Sequence, residues 1–309
     1  MPIESPNTAH ANITHVVIPP VRDLGGGFHV KRVLPAREQM MVGPFIFFDE
    51  MGPVHFKSGD GLDVRPHPHV GLATVTYLFA GEILHRDSVG SVQAIRPGDV
   101  NWMTAGRGIV HSERTGTEQR AAGGPLAGIQ LWLALPKRDE DIAPSFTHFD
   151  APQLPLWVES GATLRLIAGE WQGVRSPVQV FSPLCYIDAR FDAGAALAIP
   201  ATYRQRALYV TQGALELHGH RVEAGQMLIL QSGKAVTFTS QNGARAMLLG
   251  GEPLDEARYI WWNFVASSVE RIRHAQDEWR NGKFARVPGE VDFIPSPDMG
   301  SERPRSSGD

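Results

Sequence analysis

Two short pairs of residues carry the most specific chemistry in this chain: His67-Pro68-His69 and His111-Ser112-Glu113. Side chains two apart on a strand point to the same face, so each pair presents two potential ligands on one side. If both strands line one barrel, three imidazoles and a carboxylate converge inside it. That donor set suits a first-row divalent metal. Either pair alone is weak evidence, because two exposed histidines can share this spacing by chance. Together, on strands flanking a hairpin, they reinforce each other. Pro68 cannot donate to a sheet ladder, so its strand is expected at an edge or bulged there.

The elements that must position these residues read as strands. Glycine (32) and proline (23) punctuate short runs of β-branched and aromatic residues along the 309-residue chain. Such runs include Phe45–Phe48, Ala73–Phe79, Val92–Ile95, Gln130–Ala134, Ala207–Val210, Met227–Leu230 and Val236–Thr239. Many short strands at close spacing predict a sandwich or barrel rather than alternating strands and helices. One helix is expected at about 268–281. Ser267 and Glu270 match a capping box, Val269, Ile272 and Trp279 recur at helical spacing, and Gly282 stands at the stop. The charged, proline-bearing stretch 136–160 reads as the crossing between two domains, and 297–309 as a mobile tail.

Composition narrows the function classes. Net charge is −4 with no Lys/Arg cluster, which argues against direct nucleic-acid binding or an anionic membrane surface. The single cysteine, Cys185, excludes an intrachain disulfide framework and any Cys-rich metal site. No run of 18 apolar residues is present, and Met1 to His15 has neither a basic nor an apolar leader stretch. A cytoplasmic protein is expected.

The two halves repeat. Thr76 to Ile83 aligns with Leu208 to Leu215 at an offset of 132, and Ile95 to Val100 aligns with Val222 to Met227 at an offset of 127. Gly81, Gly98 and Gly106 thereby pair with Gly213, Gly225 and Gly233, and the change of offset falls in a hairpin loop at Arg86–Gly90. Carried across, His67 and His69 fall on Ile199 and Ala201, and His111 and Glu113 on Phe238 and Ser240. The second unit is therefore expected to be apolar inside and to lack ligands.

Here the residues reach a family resemblance. His67-x-His69-x4-Thr74-x6-Gly81 resembles the first cupin motif, with Thr74 where the usual glutamate stands. Pro97-Gly98-Asp99 through Gly106 to His111 resembles the second, with Thr104 in place of its proline. Absence of Glu at 74 and presence of Glu113 resemble the pirin variation of that pattern. The stretches Arg65 to Tyr77 and Trp102 to Glu113, Pro44-Phe45 through Asp49-Glu50, and Ala168-Gly169-Glu170 with Arg175-Ser176-Pro177-Val178 are also similar to pirins. Trp261-Trp262-Asn263-Phe264 departs from the usual C-terminal wording. The resemblance implies an all-β fold of two tandem cupin (jelly-roll type) barrels with a C-terminal helix. It places an N-terminal barrel at 1–137 and a ligand-free barrel at 138–296. It implies one metal held by His67, His69, His111 and Glu113. Iron(II) is the expected ion, with zinc, manganese, nickel and copper compatible.

Other residues have plainer readings. His218-Gly219-His220 falls at a hairpin turn. Gly25-Gly26-Gly27 lacks the Lys of a phosphate loop and reads as a turn. His29, His55 and His85 lack partners at ligand spacing and read as surface or turn residues. Asp49 and Glu50 read as a strand end, Arg107 as a turn residue, and Cys185 and Trp102 as core.

Three functions share this one site. The first is a dioxygenase of quercetin 2,3-dioxygenase type, with a small aromatic flavonol at the metal and Glu113 as the catalytic proton acceptor. The second is an iron-redox-responsive protein that binds a transcriptional or metabolic partner. The third is a non-oxidative metal enzyme or storage-like cupin, as a closed zinc site would suggest.

Overall fold

The computed structural model describes residues 12–23, 28–300 and 304–308, so Gly25-Gly26-Gly27 lies outside the described residues. Among the described residues the regular elements are mostly strands, and the chain divides into two compact units.

The histidine-bearing unit comprises Val21–Pro35, Phe45–Gln153 and the described part of Leu254–Asp309. Strands are numbered in chain order, with β1 (Ile13–Val17) belonging to the other unit. In the histidine-bearing unit run β2 (Val21–Asp23), β3 (His29–Leu34), β4 (Phe45–Phe56), β5 (Asp63–His69), β6 (Leu72–Ala80) and β7 (Ile83–Asp87). They are followed by β8 (Val92–Ile95), β9 (Val100–Thr104), β10 (Ile109–Arg114), β11 (Gly124–Ala134) and β12 (Ser145–Phe149). A seven-stranded antiparallel sheet runs β12-β9-β6-β11-β4-β3-β2, and a four-stranded sheet runs β5-β10-β7-β8. Val30, Met51, Leu78 and Leu126 from the first pack with Ile83 and Ile95 from the second. As Pro68 requires, β5 is an edge strand.

The other unit comprises Leu154–Pro253, Ala36–Pro44 and the described part of Met1–Pro20. Its strands after β1 are β13 (Leu156–Glu159), β14 (Ala162–Trp171), β15 (Val174–Arg175), β16 (Leu184–Phe191) and β17 (Ala196–Ile199). Then come β18 (Gln205–Leu217), β19 (His220–Glu223), β20 (Met227–Leu230), β21 (Val236–Thr239) and β22 (Ala244–Gly251). The internal repeat is visible here, because β5, β6, β8, β9, β10 and β11 have their counterparts in β17, β18, β19, β20, β21 and β22. Gly98 and Gly225, paired by the repeat, both turn at φ 87°, a conformation open to glycine. Ile199 and Phe238, the counterparts of His67 and His111, lie in the apolar core of this unit.

The division differs from the expected one in three respects. The break falls after Gln153 rather than at 137/138, because β12 pairs with β9 and stays with the first barrel. Residues 12–20 join the second barrel, where β1 pairs with β20. The C-terminal helix joins the first barrel: α2 (Val269–Arg280) follows the hairpin β23 (Tyr259–Trp261) and β24 (Phe264–Ala266), and Ile272 and Ala275 pack with Val70 and Phe264. A short helix α1 (Thr117–Ala122) precedes β11. Part of the expected tail is ordered as a strand, β25 (Arg305–Ser306), paired with β23.

The helix lies where its periodicity places it, with its cap shifted by one residue. Ser268, not Ser267, accepts from the Arg271 N–H at 3.2 Å. Ser267 is diverted by Glu140, whose carboxylate accepts from both its N–H and its hydroxyl. At the other end Gly282, at φ 65°, donates to the Trp279 carbonyl, and Lys283 donates to that of Glu278. This is the Schellman pattern that the glycine signals. Among the described residues, no helix is long and apolar enough to cross a membrane.

Candidate metal centre

His67 on β5 lies opposite His111 on β10 in the antiparallel register, and His69 follows two residues after His67. One ring nitrogen from each lies within 4.8 Å of the other two. His69 and His111 approach through their Nε2 atoms at 3.1 Å. All three side chains are buried.

The second nitrogens show which tautomers are present. His67 Nδ1 donates to the Arg65 carbonyl at 2.8 Å, and His69 Nδ1 donates to the Asn263 carbonyl at 3.1 Å. A carbonyl only accepts, so both rings carry their proton on Nδ1 and leave Nε2 bare. Nitrogen ligands about 2.1 Å from a shared ion at right angles lie about 3.0 Å apart, close to the His69–His111 separation. The residues present therefore fit a divalent metal. Burial pushes His67 down to about 4, outweighing the Arg65 hydrogen bond. Burial, with the neighbouring rings, holds His69 and His111 well below the ordinary histidine range. The cluster is thus neutral at neutral pH, as ligation requires.

Glu113 is buried beside this cluster but does not join it. Its Oε1 accepts from Thr76 Oγ1 at 3.1 Å. Between His111 and Glu113 the pairing of β10 with β5 slips, so Glu113 lies opposite Val64 on one side and His85 on the other. Thr76 Oγ1 also lies 2.8 Å from the Gln130 side-chain amide. A hydroxyl has one proton to give, so Gln130 donates to Thr76 when Thr76 donates to Glu113. Burial raises the Glu113 carboxyl, with His85 and Thr76 pulling it partly back.

His85, expected at the surface, is buried beside His111. Their Nδ1 atoms lie 3.4 Å apart, and His85 Nε2 meets Asp87 Oδ2 at 3.0 Å. Phe146 stacks on the His85 ring at 4.3 Å. Burial alone would raise Asp87, but hydrogen bonds from His85 and Ser91 hold its carboxyl below the usual range. The signal was present in the sequence, since His85-Arg86-Asp87 puts an imidazole and a carboxylate on one strand face. Asp49 and Glu50 are also mid-strand in β4 rather than at its end. Asp49 takes a two-point ion pair from Arg32, and Glu50 takes one from Lys31. An aromatic wall adjoins the site: Trp132 meets His69 edge-on at 5.0 Å, and Phe47 stacks on Trp132 at 4.0 Å.

The remaining candidates hold simpler positions. His218 and Gly219 form the exposed turn between β18 and β19. His29 and His55 are exposed, and Arg107 is an exposed turn residue. Cys185 and Trp102 are buried.

Known proteins place this geometry. The Pirin family model matches residues 27–133, and the model of the Pirin C-terminal cupin domain matches residues 186–285. A pirin-like protein of Caulobacter vibrioides is 48% identical over 282 residues, covering 90% of this chain and 96% of the relative. The chain belongs to the pirin family. Mouse Pirin is 32% identical to this pirin over 267 residues, covering 84% of the chain and 89% of the mouse protein. A crystal structure of a quercetin 2,3-dioxygenase from Acinetobacter baumannii superposes with a TM-score of 0.88 at 34% identity, covering 95% of this chain and 97% of that one. The fold is therefore that of the tandem cupin barrels, and the three histidines form the candidate metal site of the family's N-terminal barrel.

Proposed function

We propose that this pirin binds one iron(II) ion at His67, His69 and His111, and uses it to cleave flavonol-like substrates with O2. The observation that carries the reading is the convergence of three neutral, buried imidazoles, two of them locked with bare Nε2 atoms. Imidazole donors hold iron(II) well, and nothing in the set demands a softer ion. The similar Acinetobacter protein, named a quercetin 2,3-dioxygenase, supports the substrate class.

Iron held there supplies Lewis acidity toward the 3-hydroxyl/4-carbonyl edge of a flavonol and one-electron reactivity toward O2. The protein supplies the rest. Thr76 fixes Glu113 through Oε1. In this reading Glu113 would be the fourth ligand through Oε2, and that oxygen would leave the metal as it takes the 3-hydroxyl proton on substrate binding. A carboxyl raised by burial holds that proton more readily than an exposed one. Trp132, backed by the stacked Phe47, would form the aromatic wall of the site beside His69. In the overall reaction one flavonol and one O2 give a depside and carbon monoxide.

The test is aerobic loss of the quercetin absorbance band by iron(II)-loaded protein, with carbon monoxide measured and His69→Ala as control. Metal-dependent loss with carbon monoxide release is the expected result. Loss no faster than in His69→Ala, in protein shown to hold iron, would reject the dioxygenase reading.

A further inference from the structure

The relation between His111 and its neighbours differs from that of the other two histidines. His67 and His69 each donate to a backbone carbonyl, a partner that cannot reverse its role. His111 Nδ1 instead faces His85 Nδ1, a partner able to donate or accept. The tautomer of His111 is therefore undecided by that contact alone, and whatever fixes His85 fixes His111.

Asp87 fixes His85. The Asp87 carboxylate is fully buried, with Oδ2 on His85 Nε2 at 3.0 Å. Its Oδ1 accepts from the Val89 N–H at 3.0 Å and the Ser91 N–H at 2.9 Å. Both carboxylate oxygens are acceptors, so His85 must place its proton on Nε2. That leaves His85 Nδ1 as an acceptor, which requires His111 to carry its proton on Nδ1 and leaves His111 Nε2 bare toward His69 and His67. The opposite polarity would need an extra proton on His85. Phe146, stacked at 4.3 Å and 15° from parallel, holds the His85 ring in the plane this arrangement needs.

We propose that His85 and Asp87 form a positioning relay that sets His111 in its metal-binding tautomer, the loop amides of Val89 and Ser91 orienting the carboxylate at its far end. The proposal rests on the three-histidine site above, to which it adds the device that determines one ligand. It also has a consequence that a space-filling role would not. In Asp87→Asn, the two loop N–H groups keep the amide oxygen, because only it can accept them. The amide NH2 then donates to His85 Nε2. His85 moves its proton to Nδ1 and donates to His111 Nδ1, and His111 is left with a proton on Nε2. A substitution that hardly changes shape thus reverses the whole chain of donors.

Two measurements on the full-length protein test this at neutral pH. Long-range 1H–15N correlation of the histidine rings in metal-free protein reads the tautomers directly. Wild type should show His111 protonated on Nδ1, and Asp87→Asn should show it protonated on Nε2, with His67 and His69 unchanged. Chelator competition for zinc(II) reads the consequence: the dissociation constant should rise about ten- to a hundredfold in Asp87→Asn, the usual effect of losing a hydrogen-bonding partner behind a ligand. His85→Gln, whose amide oxygen can still accept from His111, should recover part of the loss that His85→Ala shows, and thermal unfolding of each metal-free variant reports folding separately. An Nε2–H tautomer for His111 in wild type would overturn the relay. So would an Nδ1–H tautomer and unchanged zinc affinity in Asp87→Asn. Wild type with the expected tautomer but no zinc affinity above His69→Ala would instead refute the metal site and leave the relay standing.

Discussion

His69 donates its Nδ1–H to the carbonyl of Asn263, 194 residues further along the chain. The C-terminal hairpin that supplies this carbonyl is pinned beside β5 by a bridge between Val70 and Phe264 and by the Val265 N–H donating to the Val70 carbonyl. Asn263 thus orients a candidate ligand through its backbone, and its side chain is incidental to that role.

Gly71 permits this approach. It turns at φ 68°, and a Cβ there would overlap the Val265 carbonyl. Gly71→Ala should push the hairpin outward and draw the Asn263 carbonyl off His69. The expected outcome is zinc affinity about tenfold weaker, together with about 1–2 kcal/mol less stability from the left-handed backbone alone. Zinc titration and thermal unfolding separate the two effects. Lower stability with full zinc affinity would show that His69 does not need this carbonyl.

Glu113→Gln keeps an oxygen for Thr76 while removing the charge that would accept a proton. Turnover of quercetin should fall by about 10²–10⁴, the usual contribution of a positioned general base. The variant should fold as well as wild type, because a neutral amide is easier to bury than a carboxylate. Turnover retained within a few-fold would remove Glu113 from the reaction.

The parts of this site legible in the sequence are those written in side-chain type and spacing. His67, His69 and His111 could be found because ligands two apart on a strand must share a face. The second barrel could be read as apolar because Ile199 and Phe238 stand at the repeated positions. Asn263 was invisible because any residue can supply a carbonyl, and no pattern marks which distant turn arrives beside His69. His85 carried a signal that its isolation from other histidines obscured: its partner is Asp87 on its own strand, and the pair is buried. The helix cap moved from Ser267 to Ser268 because Glu140, far away in sequence, claims the first serine.

In the second barrel, Arg206 is buried, and among the described residues no carboxylate forms an ion pair with it. Its guanidinium instead donates to the carbonyls of Pro200, Gln231 and Lys234. Removing it takes the partner from three carbonyls, two of them on the exposed residues Gln231 and Lys234 where water can replace it, and leaves a cavity where the buried side chain stood. Arg206→Ala should therefore destabilise the protein by about 1–3 kcal/mol. Arg206→Lys should recover little, because one ammonium cannot reproduce a planar fork reaching three carbonyls. Denaturant unfolding would check this, and a Lys variant as stable as wild type would show that charge, not geometry, is what matters.

Arg114, one residue after Glu113, ties the C-terminal segment to β10. It donates to both carboxylate oxygens of Glu290 and to Asp292, and Ser112 donates to Glu290 as well. The Arg114 hydrogen bonds hold the Glu290 carboxyl below its ordinary value of 4.5, outweighing its partial burial. Folded protein therefore binds less proton at this group than unfolded protein does. The stabilisation is complete above 4.5 and is lost as pH falls through the lower folded value. Below pH 4.5 the segment around Glu290 should loosen, and the Ile294 N–H, which donates to the Pro66 carbonyl, should exchange faster with solvent. Hydrogen exchange across that range reads this directly. Glu290→Gln should show fast exchange of the Ile294 amide at every pH and no acid transition, and an acid transition that survives in this variant would assign the effect to another group.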